Sequence, residues 1–116
     1  MTVENLEITC NWYLRVLGLK NAAFGEGRKA LLLPSQKINL HKKGEEFEPH
    51  AKAPGVGSLD LCFLSKTPLA QVMEHLKSQR VEIVKGPIKR NGARGLITSI
   101  YIRDPDGNLL EISNSD

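Results

Sequence analysis

Apolar residues Leu6, Cys10, Tyr13 and Leu17 recur at near-helical spacing through Asn5–Leu17, and Gly18 follows as a stop. The pattern predicts an amphipathic helix. Short runs broken by turn formers come next: Asn21–Phe24, Lys29–Leu33 and Lys37–Lys42, separated by Gly25-Glu26-Gly27 and Pro34-Ser35. They predict three strands. Lys43–Val56 is polar and aperiodic, with Pro49 and Pro54, and reads as a connecting loop because neither flank holds a core alone.

Beyond the loop the order repeats. Gly57–Leu64 reads as a strand, and Thr67-Pro68 as a helix start with proline at the first helical position. Leu69, Val72, Met73 and Leu76 mark that helix's apolar face. Strand-like Val81–Val84 follows, then a basic excursion through Asn91-Gly92. Ile97–Arg103, the turn Asp104-Pro105-Asp106-Gly107, and Asn108–Ser113 complete the chain. The second half is thus β-α-β-β-β and the first α-β-β-β. Only a few residues precede the first helix, so the repeat predicts an absent first strand belonging upstream of Met1.

Alternation along the strands separates two faces. Ile38, Leu40, Leu59, Leu61, Phe63, Ile100, Ile102, Leu110 and Ile112 point one way, toward the helices. Asn39, His41, Asp60, Cys62, Tyr101, Arg103 and Glu111 point the other, a set too polar for a second core and too varied for a plain surface. It reads as a concave ligand-binding face. His41, Asp60 and Glu111 offer an imidazole and two carboxylates, a donor set suited to Mn, Fe, Ni or Zn with open positions for substrate. Such an ion polarises a carbonyl or stabilises an enediolate.

Plainer readings stand beside these. His41 next to Lys42-Lys43 is equally a solvated strand-end residue, and Glu111 with Arg103 equally a cross-strand ion pair. Asp60 between Leu59 and Leu61 requires a partner if it is buried. Nothing marks Cys62 as an activated thiol. His50 and His75 read as surface residues, with His50 also placed in a loop able to act as a lid.

Composition narrows the function classes. At 116 residues, 41% hydrophobic and 25% charged, the chain is ordinary globular sequence for one domain. No run approaches the roughly 20 apolar residues of a membrane span, and the N-terminus lacks the pattern of a secretory signal, so a soluble, cytoplasmic protein is expected. The net charge of +3 is dispersed and aromatics are 5%, which argues against nucleic-acid binding. Cys10 and Cys62 lack the number and spacing of a disulfide framework or a Cys-based zinc site.

Tyr13-Leu14-Arg15-Val16-Leu17-Gly18-Leu19 and Tyr101-Ile102-Arg103-Asp104-Pro105-Asp106-Gly107-Asn108-Leu109-Leu110-Glu111-Ile112 resemble signatures of the vicinal-oxygen-chelate superfamily. That superfamily includes glyoxalases, bleomycin-resistance proteins and extradiol dioxygenases. The segments around Ile38–His41, Phe47–Pro49, Pro54–Cys62 and Thr67–Leu69 resemble its small glyoxalase-domain-containing members. The resemblance implies an α+β fold of paired βαβββ modules, forming a curled mixed sheet with helices on the convex face. The modules would be residues 1–42, lacking the first strand, and 57–113, within one domain of 1–116.

Carried over by motif, Glu111 matches the family's last metal ligand. Asp60 falls where many members have histidine, Asn39 falls where glyoxalases have glutamate, and the first-strand histidine has no counterpart. The implied function is a divalent-metal-dependent lyase or isomerase, or a dioxygenase, acting on a small oxygen-rich metabolite. Glu111, Asp60 and His41 would be metal ligands, and His41 and Glu111 the catalytic groups. Asn39, Cys62, Tyr101 and Arg103 would line the substrate, with Tyr101 and Arg103 orienting an anionic one. The alternatives are a metal-free protein that sequesters a small molecule such as an antibiotic, and an inactive truncated member. An unpaired sheet edge and the family habit both imply a homodimer.

Overall fold

The computed structural model describes residues 1–116. Helix α1, Leu6–Leu17, begins where the Asn5 carboxamide oxygen accepts the Ile8 N–H at 2.9 Å. It ends at Gly18, whose φ of 68° lets Gly18 N–H reach Leu14 O and Leu19 N–H reach Tyr13 O. A side chain at that φ is disfavoured, so the glycine stops the helix cleanly. Thr9, Cys10, Tyr13 and Val16 are its buried residues.

The chain divides into two compact units: Met1–Leu59 with Pro105–Gly107, and Asp60–Asp104 with Asn108–Asp116. The first contains β1 (Thr2–Val3), α1, β2 (Asn21–Phe24), β3 (Arg28–Leu32) and β4 (Lys37–Lys42), with strand order β1-β4-β3-β2. The second contains β5 (Asp60–Leu64), α2 (Leu69–Ser78), β6 (Lys85–Gly92), β7 (Gly95–Arg103) and β8 (Leu109–Ser115), ordered β5-β8-β7-β6. In each sheet the first strand runs parallel to the last and the other pairs are antiparallel. The α+β architecture of paired βαβββ modules is therefore as the sequence implied.

One element differs. The first strand is short rather than absent: Thr2 and Val3 pair with His41 and Lys42. Thr2 also bridges Val56, and His41 N–H and Lys43 N–H donate to Met1 O and Val3 O at 2.9 Å. Two residues are too few for a period-2 pattern, which is why the sequence did not reveal them. Val3, Leu31 and Leu40 are buried in this unit with Tyr13 and Val16 of α1.

Element boundaries in the second half also move. Val81–Val84 is not a strand; the strand is Lys85–Gly92, a hairpin partner of β7. Its alternating Ile88, Arg90 and Gly92 hold too few apolar residues to signal a strand, and the register breaks between Lys85 and Ile88, around Pro87. The strand expected at Gly57–Leu64 starts at Asp60. Gly57 has φ +73°, and a Cβ there would lie 2.5 Å from Asp106 O, so the backbone before β5 bends at this close approach.

Helix α2 is not capped by Thr67 either. Pro68 is the cap residue and supplies no side-chain acceptor, so Asn114 Oδ1 of β8 takes the Leu69 N–H at 2.8 Å. Asn114 Nδ2 donates to Ser65 O and Thr67 O, tying the β5–α2 connection to the last strand. Leu76, Ile100, Ile102, Leu110 and Ile112 form the core of this unit. In the turn before β8, Asp104 accepts Asn108 N–H at 3.0 Å and Asn108 Nδ2–H at 2.8 Å, so both buried polar groups are satisfied. No helix is long and apolar enough to cross a membrane.

Candidate functional site

The polar face of the first sheet opens on a cleft of about 520 Å³, a volume within the usual range for small-molecule sites. Asn39 and His41 of β4 form one wall, and Pro49, His50, Ala51, Ala53, Pro54, Gly55, Ser58 and Leu59 form the other. Thr2 and Met1 complete it. Alternation in β4 places Asn39 and His41 on this face while Ile38 and Leu40 turn to the core side. The polar, aperiodic segment expected to be a connecting loop therefore builds much of the site.

That loop is held by stacking. The His41 ring lies 4.1 Å from the Phe47 ring at 28°, and the Arg28 guanidinium carbon lies 4.2 Å from the Phe47 centroid. Phe47 thus bears an imidazole and a cation–π contact together, which fixes the start of the loop on β3 and β4. Ser58 Oγ donates to Gly55 O at 3.1 Å and tightens the loop's far end.

The two histidines of the cleft have their pKa values displaced in opposite directions. His41 Nδ1 is buried without a hydrogen-bond partner. Burial pushes the His41 imidazole below its usual pKa. Positive charge nearby, at the amino group, His50 and Arg28, adds to the shift, and Glu46 opposes it. His50 Nδ1 lies 2.8 Å from Ala51 O and its Nε2 lies 3.1 Å from Glu48 Oε1. The bond to Ala51 O raises the His50 pKa first, and the carboxylates of Glu48 and Glu46 raise it further. His50 reads as a surface residue in the sequence, and only the path of the loop brings it into the cleft. Its proximity to two prolines was the one signal available, and it marks a constrained loop, not a site.

The second sheet carries Cys62, Ser99, Tyr101 and Glu111 on its polar face. Cys62 and Tyr101 are the cross-strand neighbours of Glu111, and Ser99 pairs with Ser113. Ser99 Oγ donates to Glu111 Oε2 at 2.6 Å, Ser113 Oγ lies 2.7 Å from Ser99 Oγ, and Ser113 Oγ also donates to Glu111 Oε2 at 3.4 Å. Both serines are fully buried. Neither was singled out in the sequence, since serine on a strand carries no distinctive signal; the alternation that marks Glu111 would have marked them too.

Tyr101 lies directly opposite Glu111, and Arg103 lies opposite Leu109, one diagonal away. Tyr101 OH accepts from Arg90 Nε at 3.1 Å. Asp60 is exposed, so its expected need for a buried partner disappears. Cys62 Sγ lies 3.6 Å from Ser113 Oγ. Burial pushes its pKa up, and the charges of Glu111 and Asp60 act in the same direction, so the thiol is not activated as a nucleophile.

Nowhere are three His, Cys, Asp or Glu side chains gathered as a metal ion needs. One Glu111 oxygen is committed to two serine hydroxyls, and Asp60 faces solvent. As arranged, the donors do not fit a resident divalent metal, and no chemical step is routed through one.

With its two βαβββ units and the polar faces they present, the chain belongs to the Glyoxalase/Bleomycin resistance protein/Dioxygenase superfamily, whose family model matches residues 1–112. It is 50% identical over 114 residues to glyoxalase domain-containing protein RDO1 of Mycosarcoma maydis, covering 98% of this chain and 64% of that protein. The chain thus spans less than two thirds of that relative. It is also 50% identical over 113 residues to virulence protein STM3117 of Salmonella typhimurium, covering 97% of this chain and 78% of that one. Among solved structures, an integron cassette protein from the mobile metagenome of V. cholerae superposes with a TM-score of 0.96 at 52% identity, over 100% of this chain and 91% of the other.

Proposed function

We propose that this glyoxalase-superfamily chain binds a small oxygen-rich molecule in the cleft beside β4. The observation that supports it most is the cleft's composition: two imidazoles, the Asn39 amide and the Ser58 hydroxyl among Pro49, Ala51, Ala53, Pro54 and Leu59. Few polar groups on a shaped apolar surface is how small-molecule sites fix orientation. Residues on fixed strands position the ligand, and the Phe47 stack keeps the loop wall in place. A fragment screen read by NMR tests it directly. Saturable shifts clustered at Asn39, His41 and His50 are expected, and a screen with no response at those residues would refute the reading.

A second reading keeps the superfamily's metal-dependent lyase or isomerase chemistry, with Ni, Mn, Fe or Zn. Glu111, Asp60 and His41 would be the ligands, His41 and Glu111 the catalytic groups, and Asn39, Cys62, Tyr101 and Arg103 the substrate contacts. Glu111 Oε1, which accepts from neither serine, is the atom that reading would use. Calorimetric titration of chelator-stripped protein with Ni²⁺ and Mn²⁺ decides between the two. One ion per chain, lost in Glu111→Ala, supports the metalloenzyme; no binding, or binding indifferent to Glu111, leaves the metal-free binder. A homodimer is part of either reading, and its mass in solution checks it.

A further inference from the structure

We propose that the cleft takes an anionic oxygen ligand, a carboxylate or a tetrahedral oxyanion, with His50 as a fixed imidazolium and His41 as a neutral Nε2–H donor. The inference rests on the small-molecule reading above and names the ligand's chemical class.

Hydrogen-bond geometry assigns the protons. His50 Nδ1 faces the Ala51 carbonyl and His50 Nε2 faces the Glu48 carboxylate, and both of these groups only accept. Only the doubly protonated ring makes both contacts at once, so the arrangement favours the imidazolium. His41 is the opposite case. A proton on its buried, partnerless Nδ1 would strand an N–H away from any acceptor, at the full desolvation cost of that group. The single proton of the neutral ring belongs on Nε2, the nitrogen not buried without a partner. A neutral imidazole presenting Nε2–H, an amide at Asn39 and a nearby imidazolium all call for acceptor oxygens on the ligand.

The charge balance agrees. No aspartate or glutamate side chain lines the cleft. The charged groups acting on the two imidazoles are Glu48 and Glu46 on the loop, Arg28 on β3, the amino group beside β4, and each other. Glu48 pairs with His50 but is 87% exposed, so water and salt screen it from the cleft interior more than they screen a ligand seated there. Arg28 sits on the Phe47 ring that also stacks on His41, which adds positive potential at that wall. An anion entering the cleft thus meets donors and positive charge, while a cation meets only the exposed carboxylates.

The test uses the full chain with two probes, sulfate and malonate, and neutral malonamide as the control. Sulfate keeps its charge across the useful pH range, so any pH dependence belongs to the protein. Histidine ring signals by NMR and affinity by calorimetry are read at about pH 6 and about pH 8.5, on either side of the usual imidazole range. At least one anion should bind saturably and shift both His41 and His50, with affinity about tenfold weaker at the higher pH. With the Met1 amino group acetylated, because burial lowers its pKa and it too loses charge by about pH 8.5, His50→Gln should abolish that pH preference, and His41→Phe should weaken binding at both pH values while keeping the Phe47 stack. Preference for sulfate assigns phosphate- or sulfate-ester ligands, and preference for malonate assigns carboxylates. Malonamide binding as tightly as malonate, or a pH preference surviving in His50→Gln, overturns the anion assignment and leaves the small-molecule reading intact. Failure of both anions while neutral fragments shift the cleft residues does the same; silence from every probe and fragment overturns both.

Discussion

The polar face of the first sheet and that of the second are built on one βαβββ plan, but their hydrogen bonding is finished to different degrees. In the second unit one Glu111 oxygen accepts from Ser99 and Ser113, and the Tyr101 hydroxyl oxygen accepts from Arg90. In the first unit His41 keeps a buried nitrogen with no partner, and the loop opposite leaves a cleft open. With no acceptor at the buried Nδ1, the neutral His41 ring carries its proton on Nε2, and that N–H is the donor left for a ligand. A closed network is a means of holding a side chain still. The comparison teaches that chemical richness alone does not locate a site, because the richer set of carboxylate, thiol and phenol is the one largely saturated by its own neighbours.

The largest effects should be common to both units. Leu40→Ala in the first and Leu110→Ala in the second each delete a fully buried side chain, and each should cost about 2–5 kcal/mol in urea unfolding. A loss below about 1 kcal/mol for either would mean that its strand face is not a close-packed core.

The next effects should separate the two faces. Ser99→Ala removes the shorter of the two hydroxyl bonds to Glu111 and should destabilise by about 1–2 kcal/mol, and Ser113→Ala, which removes the longer one, should cost less. His41→Phe deletes an orphaned nitrogen and keeps an aromatic surface for Phe47, so in the absence of ligand it should stay within about 0.5 kcal/mol of the parent. Equal losses at the two faces would erase the distinction between a saturated network and an unsatisfied site.

Smaller effects come from the helix starts. Asn5→Ala removes the side-chain cap of α1 and should cost about 1 kcal/mol. Asn114→Ala should cost more, because the same carboxamide caps α2 and also bonds two carbonyls of the preceding connection. Reversal of that order in thermal melts would show that a cap supplied from a distant strand is worth less than one supplied locally.

The pH response should be the smallest and has opposite signs at the two imidazoles. His50 has its folded pKa raised, so its contribution to stability is complete below the unfolded value of about 6.5 and is lost as pH rises through the folded pKa. His41 has its folded pKa lowered, so its contribution is complete above about 6.5 and is lost as pH falls toward the folded pKa. NMR titration should place the His50 midpoint above the ordinary imidazole value and the His41 midpoint below it. Coincident midpoints would contradict the assigned environments.

Periodicity in the sequence located both helices and most of the strands, because spacings of 3.6 and 2 come from backbone geometry and need no partner to be visible. The same alternation placed Asn39, His41, Cys62, Tyr101 and Glu111 on the polar sides of their strands. It did not show that Ser99 and Ser113 consume a Glu111 oxygen, since that depends on the register between β7 and β8. Nor did it show that Asn114, far along the chain, closes the start of α2 in place of Thr67. His50 was beyond its reach for a related reason: the loop has no period, and only its folding back over β4, pinned by Phe47 between Arg28 and His41, turns a surface residue into part of a cleft. Local patterning set the elements, while the pairing of residues distant in sequence decided which polar groups are spent on the fold and which are left for a ligand.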